Sequence, residues 1–116
     1  MNAEVDLFNL VPEELLKQLR SLQPVLFNAD RLSILLDSYP GTQQFTQLMA
    51  DLGLTSGALA THLKALSEAG LVKTFKESQG TKEKTAVIIT PDGYKAAERF
   101  FNVICRIRSD FLRLNS

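Results

Sequence analysis

Between Gln43 and Gly70 the chain carries two amphipathic stripes separated by only three residues, Gly53, Leu54 and Thr55. Phe45, Leu48, Met49 and Leu52 recur at the spacing of one helical face, and Leu59, Leu63 and Leu66 do the same beyond the gap. Glycine ends a helix where the backbone must pass through a left-handed conformation, and threonine caps the start of the next one. Two amphipathic helices, about Gln43 to Leu52 and Thr55 to Gly70, joined by a short turn containing glycine predict a helix-turn-helix. After Gly70 the period changes. LVKTFKE reads as a strand, SQGTKEK as a turn and TAVIIT as a second strand, so a hairpin follows directly on the second helix as a wing.

The flanking segments read as helices. A first helix starts at Pro12, with Glu13 and Glu14 suiting its positive end, and carries Leu15, Leu16, Leu19 and Leu22 as its stripe until Pro24 kinks or ends it. Asn28 or Asp30 caps a second helix with Leu32, Leu35, Leu36 and Tyr39 facing inward, stopped by Pro40-Gly41. Thr90 caps and Pro91 opens a final helix reaching about Leu114, with Gly93 a mild cost in its first turn. In that helix Ala97, Phe100, Ile104, Ile107, Phe111 and Leu114 form a heptad seam, widened by Phe101 and Val103. The seam either packs along the chain's own core or forms a dimer interface completed by Leu15 and Leu19 of the first helix; the second reading is the expectation. The expected fold is mainly α with a small antiparallel β-hairpin. Residues 1–27 form an N-terminal helical extension, 28–93 a winged helix-turn-helix and 94–116 a C-terminal dimerisation helix.

Composition narrows the function. With one His and one Cys in 116 residues, the chain lacks the ligands for a soft-metal site, and it has no glycine-rich phosphate loop or paired carboxylates near either residue, so neither an enzyme nor a cofactor protein is expected. Cys105 cannot form an internal disulfide; a redox role near a dimer mate is a minor alternative to a passive thiol. No basic region with a long apolar stretch opens the chain and no run approaches membrane-span length, so a cytoplasmic protein without membrane contact is expected. Net charge is zero but uneven: residues 1–54 hold three Lys/Arg against seven Asp/Glu, whereas 55–90 and 91–116 each hold five against three.

The run FTQLMADLGLTSGALATHLKALSEAGLVKTFKE followed by GTKEKTAVIITPDGYKAAERF resembles winged helix-turn-helix regulators of the MarR/ArsR-like group. The matching positions are Phe45, Leu48, Leu52, Thr55, Gly57, Leu59, His62, Leu63, Leu66, Gly70, Val72, Thr85, Thr90 and Gly93; Ala60 stands where the group usually has serine. The likeness covers about residues 28–101. It implies a homodimeric transcriptional regulator that binds double-stranded DNA.

Such a role explains the second helix of the pair, whose outward face is almost bald. Gly57, Ala58 and Ala65 would permit close approach to base edges in the major groove, where long side chains would hold a helix off. Ser56 and Thr61 can hydrogen-bond bases or phosphates, Lys64 should meet a phosphate, and the amides near Thr55 and Ser56 offer an anion site. His62 flanks this face and reads more readily as a half-buried hydrogen-bonding residue than as a base reader. On the wing, Lys82 and Lys84 beside the tip and Lys73 and Lys76 on the first strand are expected to reach the DNA backbone or minor groove, or else to be solvated charges that discourage edge pairing. The second functional reading is a winged-helix protein-contact module without DNA binding. A small-molecule effector has room between the wing-helix core and the dimer helices, but no convergent polar set marks its site.

Overall fold

A computed structural model describes residues 13–39 and 41–114, excluding the side chains of residues 14, 15, 79 and 114. The chain runs α1 (Glu13–Ser21), a 3-10 turn (Pro24–Leu26), α2 (Ala29–Asp37), β1 (Thr42–Gln44), α3 (Phe45–Leu52), α4 (Ser56–Glu68), β2 (Val72–Gln79), β3 (Lys82–Ile89) and α5 (Pro91–Leu114). The predicted start at Pro12 and the stop at Pro40 lie outside the described residues. Two compact units result, one of residues 23–97 and one that, among the described residues, takes in 13–22 and 98–114.

In the larger unit α2 packs on α3 and α4, and α4 packs on β2. The buried residues include Leu26, Ile34, Leu35 and Leu48, the three α4 leucines, and Leu71, Val72, Val87 and Ile89 from the sheet. Gly53 ends α3 at φ 65°, Thr55 caps α4 by accepting the Ala58 N–H at 3.1 Å, and Gly70 follows α4 at φ 77°. The predicted helix-turn-helix is therefore present.

Helix α2 corrects the sequence reading. Asn28 is its cap, accepting the Arg31 N–H at 3.0 Å. Leu36 and Tyr39 are not inward: they are 54% and 45% exposed, whereas Ile34, Leu35 and Ser38 are buried. The inward stripe is buried Ile34, Leu35 and Ser38 with half-buried Arg31, one residue round the helix from 32, 35, 36 and 39. Both stripes have helical spacing, but the true one holds the polar Arg31 and Ser38, so hydropathy points to its neighbour.

Residues 43 and 44 are strand, not the first turn of α3. β1 pairs antiparallel with β3, Thr42 opposite Ile88 and Gln44 opposite Ala86, in a sheet ordered β1-β3-β2. Only Thr42 in Thr-Gln-Gln favours a strand; β3 recruits the segment by backbone pairing. The wing is also tighter than expected. Its turn is Gly80-Thr81 alone, with Ser78 opposite Glu83 and Gln79 opposite Lys82. Gly80 has φ 65° and among the described residues no non-glycine has positive φ, the pattern of a II′ hairpin turn with glycine first.

Gly93 is not a mild helix cost but a requirement. A Cβ there would overlap the Leu71 carbonyl oxygen and lie 2.8 Å from Ile89 Cγ1. Thr90 fixes this approach: its hydroxyl donates to Gly70 O at 2.7 Å and accepts the Gly93 N–H at 3.0 Å, while its own N–H donates to Leu71 O at 3.0 Å.

Asp37 ends α2 with Oδ2 buried and no hydrogen-bond donor facing it. Burial first, then hydrogen bonding to the neighbouring Asp51 carboxyl and its charge, push the Asp37 carboxyl above the ordinary 3.8; the helix C-terminus opposes a negative charge there as well. A carboxyl raised in the folded state adds stability below pH 3.8 and loses it as pH climbs through the raised value. Asp37→Asn is therefore expected to raise the melting temperature at pH 7 and to remove the gain that the wild type shows on acidification toward pH ~4. Equal melting-temperature shifts in both proteins across that range would contradict the assignment.

In the smaller unit, α1 and the distal part of α5 are joined by Arg99 donating to Ser21 Oγ at 2.6 Å and Arg106 donating to Gln18 Oε1 at 3.3 Å.

Candidate nucleic-acid interface

The open face of α4 is set by its cap and its leucines. With Leu59, Leu63 and Leu66 buried, the helix presents Gly57, Thr61, Lys64 and Glu68 as an exposed ridge at i, i+4, i+7 and i+11, with Ser56 and Ala60 beside it. Thr55 is exposed at the helix start. Thr61 donates its hydroxyl to Gly57 O at 3.0 Å. Ala58 and Ala65 differ from the sequence reading: both are half-buried, flanking the ridge rather than leading it. Sequence reasoning passed over Glu68, although continuing the spacing from Gly57 by sevens and fours reaches it, and noted Ala60 only as standing in place of serine.

His62 belongs to a different set. Its ring is held between Arg31, whose Nε donates to Nδ1 at 3.3 Å, and Asp30, whose Oδ2 lies 3.5 Å from Nε2. This geometry fits the tautomer with its proton on Nε2. Arg31 also donates to Val25 O at 3.0 Å, so one guanidinium ties the 3-10 turn, α2 and α4 together. The structure therefore separates His62 from the ridge and gives it a bracing position.

Strand register sorts the wing lysines. Opposed residues share a face, and faces alternate along each strand. Thr74, Lys76, Thr85 and Val87 fall on one face, and Thr74 and Thr85 line a groove with α4. Lys73, Phe75, Lys82, Lys84 and Ala86 fall on the other, where Gln44 Nε2 donates to Glu77 Oε2 at 3.2 Å. Of the four lysines, only Lys76 thus shares a face with α4. It sits 3.5 Å from Glu83, both ends well exposed, and a pair in that setting is worth roughly 0–1 kcal/mol.

The heptad seam is divided. Ala97, Phe100 and Val103 are buried in the single chain, Phe101 and Ile107 are half-buried, and Ile104 and Phe111 are 39% and 61% exposed. Leu19 is half-buried, and Leu16 and Leu112 are exposed. The side chains of residues 15 and 114 lie outside the description. Ala97 and Phe100 therefore face inward, and the most exposed residues of the seam are Ile104 and Phe111. Cys105 is an exposed free thiol on the same helix. Among the described residues no helix is long and apolar enough to cross a membrane.

Comparison with known proteins agrees with this architecture. The winged helix DNA-binding domain family matches residues 31–107. A transcriptional regulator homologue from Pyrococcus horikoshii OT3 is 33% identical with a TM-score of 0.74, covering 83% of this chain and 95% of that one. A regulator of the MarR family from Enterococcus faecalis V583 is 18% identical with a TM-score of 0.63, covering 99% and 93%. PadR of Bacillus subtilis, solved in complex with operator DNA, is 20% identical with a TM-score of 0.57, covering 64% of this chain and 47% of PadR. No curated protein matches the chain. The ridge-bearing helix, the short glycine turn before it and the hairpin behind it are thus elements of a family fold: the chain belongs to the winged helix DNA-binding domain family and has the MarR-like regulator fold.

Proposed function

We propose that this regulator acts in the cytoplasm as a homodimer on a palindromic or pseudo-palindromic DNA operator. The observation that carries the reading is the low, exposed ridge of Gly57, Thr61 and Lys64 on the second helix of a helix-turn-helix. In a major groove about 12 Å wide, a helix whose leading side chains are short can bring its backbone close to the base edges. Ser56 and Thr61 read base edges, Lys64 meets a phosphate, Ala58 and Ala65 border the contact, and Thr55 holds the helix end. Lys73, Lys82 and Lys84 on the outer wing face, with Lys76 on the inner one, supply charge to the flanking backbone. Ile104, Ile107 and Phe111, with Phe101, Leu19 and Leu15, form the dimer contact, and Ala97 and Phe100 support it from inside. Two-fold symmetry then sets the two α4 helices about 34–36 Å apart, one turn of duplex.

Selection of bound sequences from a random duplex pool tests this directly. Enrichment of two half-sites one turn apart is expected, with binding that weakens steeply as salt rises, by roughly 0.9 in log–log slope per neutralised phosphate. Lys82→Ala with Lys84→Ala should weaken all sequences alike, and Thr61→Ala should change the preferred sequence. The zero net charge is the observation that favours a protein-contact module instead. No enrichment and no salt-dependent binding would leave that reading in place of this one.

A further inference from the structure

Between α4 and the inner face of the wing lies a groove of about 350 Å³. Phe45, Ala60 and Leu63 give it an apolar floor, and Lys64, Ser67, Thr74 and Thr85 set an ammonium and three hydroxyls around it. We propose that this groove seats a phosphodiester segment of the DNA backbone, with Lys64 and the Ser67, Thr74 and Thr85 hydroxyls around the phosphate and the apolar floor beneath the deoxyribose. The inference rests on the DNA-binding reading and adds a site to it: Ser67, Thr74 and Thr85 are contacts that the sequence pattern does not single out, and the four wing lysines are not among the lining residues.

Three features select this occupant. Among the described residues no carboxylate lies within ion-pair distance of Lys64, and the residue is exposed, so its charge is available to an anion. A sugar-phosphate chain alternates an anionic, hydrogen-bond-accepting group with a weakly polar ring, which the mixed lining matches at both levels; phosphate contacts of this kind come from lysine together with serine and threonine hydroxyls. Ala60 and Lys64 also border the exposed ridge, so a duplex whose major groove receives Thr61 brings a backbone to the same place. Three of the wing lysines, Lys73, Lys82 and Lys84, project from the opposite face of the hairpin and serve a different stretch of DNA.

The test uses the full chain and a duplex of about 30 base pairs, enough for two half-sites one turn apart, recovered by the selection above. Lys64→Ala should lower the log–log salt slope by about 0.9 for each phosphate it contacts, about 1.8 per dimer. Thr74→Val with Thr85→Val should weaken binding several-fold with the slope unchanged, because hydroxyls release no counterions. Replacing single phosphates by uncharged methylphosphonates should reveal one position per half-site that weakens the wild type and leaves Lys64→Ala unaffected. Melting curves matching the wild type establish that the variants are folded. An unchanged slope in Lys64→Ala, or a methylphosphonate effect equal in both proteins, overturns the seat while leaving DNA binding intact. Absence of any duplex binding by the wild type would instead overturn the function on which the seat depends.

Discussion

Gly93→Ala is expected to destabilise the larger unit by about 3 kcal/mol or more, lowering the melting temperature by roughly 10–20 °C. The added methyl would overlap the Leu71 carbonyl, a backbone atom that cannot swing aside as a flexible side chain can, and would press on Ile89. Relief requires α5 to lift from the sheet, which breaks the Thr90 bonds to Gly70 and Gly93. Gly57→Ala is the informative contrast. A Cβ at Gly57 meets nothing within 4 Å, so the substitution should stabilise the helix by roughly 0.5–1 kcal/mol. If Gly57 is retained for groove approach, the same variant should bind its operator more weakly despite melting higher. A Gly93→Ala protein that melts within a degree or two of the wild type would show that the α5 approach is not rigid.

The second large effect concerns assembly. Ile104→Glu combined with Phe111→Glu places two carboxylates on the exposed part of the α5 seam. In a lone subunit both positions are in contact with water; an apolar dimer contact excludes that water, so each charge would be buried unpaired there. Analytical ultracentrifugation should show a dimer for the wild type and a monomer for the variant. Affinity for a duplex with two half-sites should fall by about 10²-fold or more, since linkage of two binding modules contributes that order, while affinity for a single half-site stays nearly constant. A variant that sediments as a dimer, or a wild type that sediments as a monomer at tens of micromolar, would refute the interface.

The helix-turn-helix and the wing were legible because their signals are local. Gly53, Thr55 and Gly70 act through their own backbone geometry, and the α4 leucines are apolar on a face that is buried. What escaped depends on partners distant in sequence. β1 exists because β3 lies beside it, not because Thr-Gln-Gln prefers a strand. Gly93 looked like a local penalty, yet its role is set by a carbonyl 22 residues earlier. Half-buried Arg31 on the inward side of α2 is intelligible only with His62 and Val25 O in place to receive its protons. The candidate interface was legible to the same degree: the spacing of α4 yields its ridge, but only strand register shows which wing lysine shares a face with it, and only the folded pair of α4 and wing encloses the groove.

The bond from Thr61 to its own helix backbone has a consequence for readout. With its proton committed to the Gly57 carbonyl, the threonine oxygen would meet a base edge, in the proposed complex, with lone pairs alone. In that state it accepts from the exocyclic amino group of adenine or cytosine rather than donating to a keto oxygen. One intramolecular contact would thus tilt the choice of base at that step.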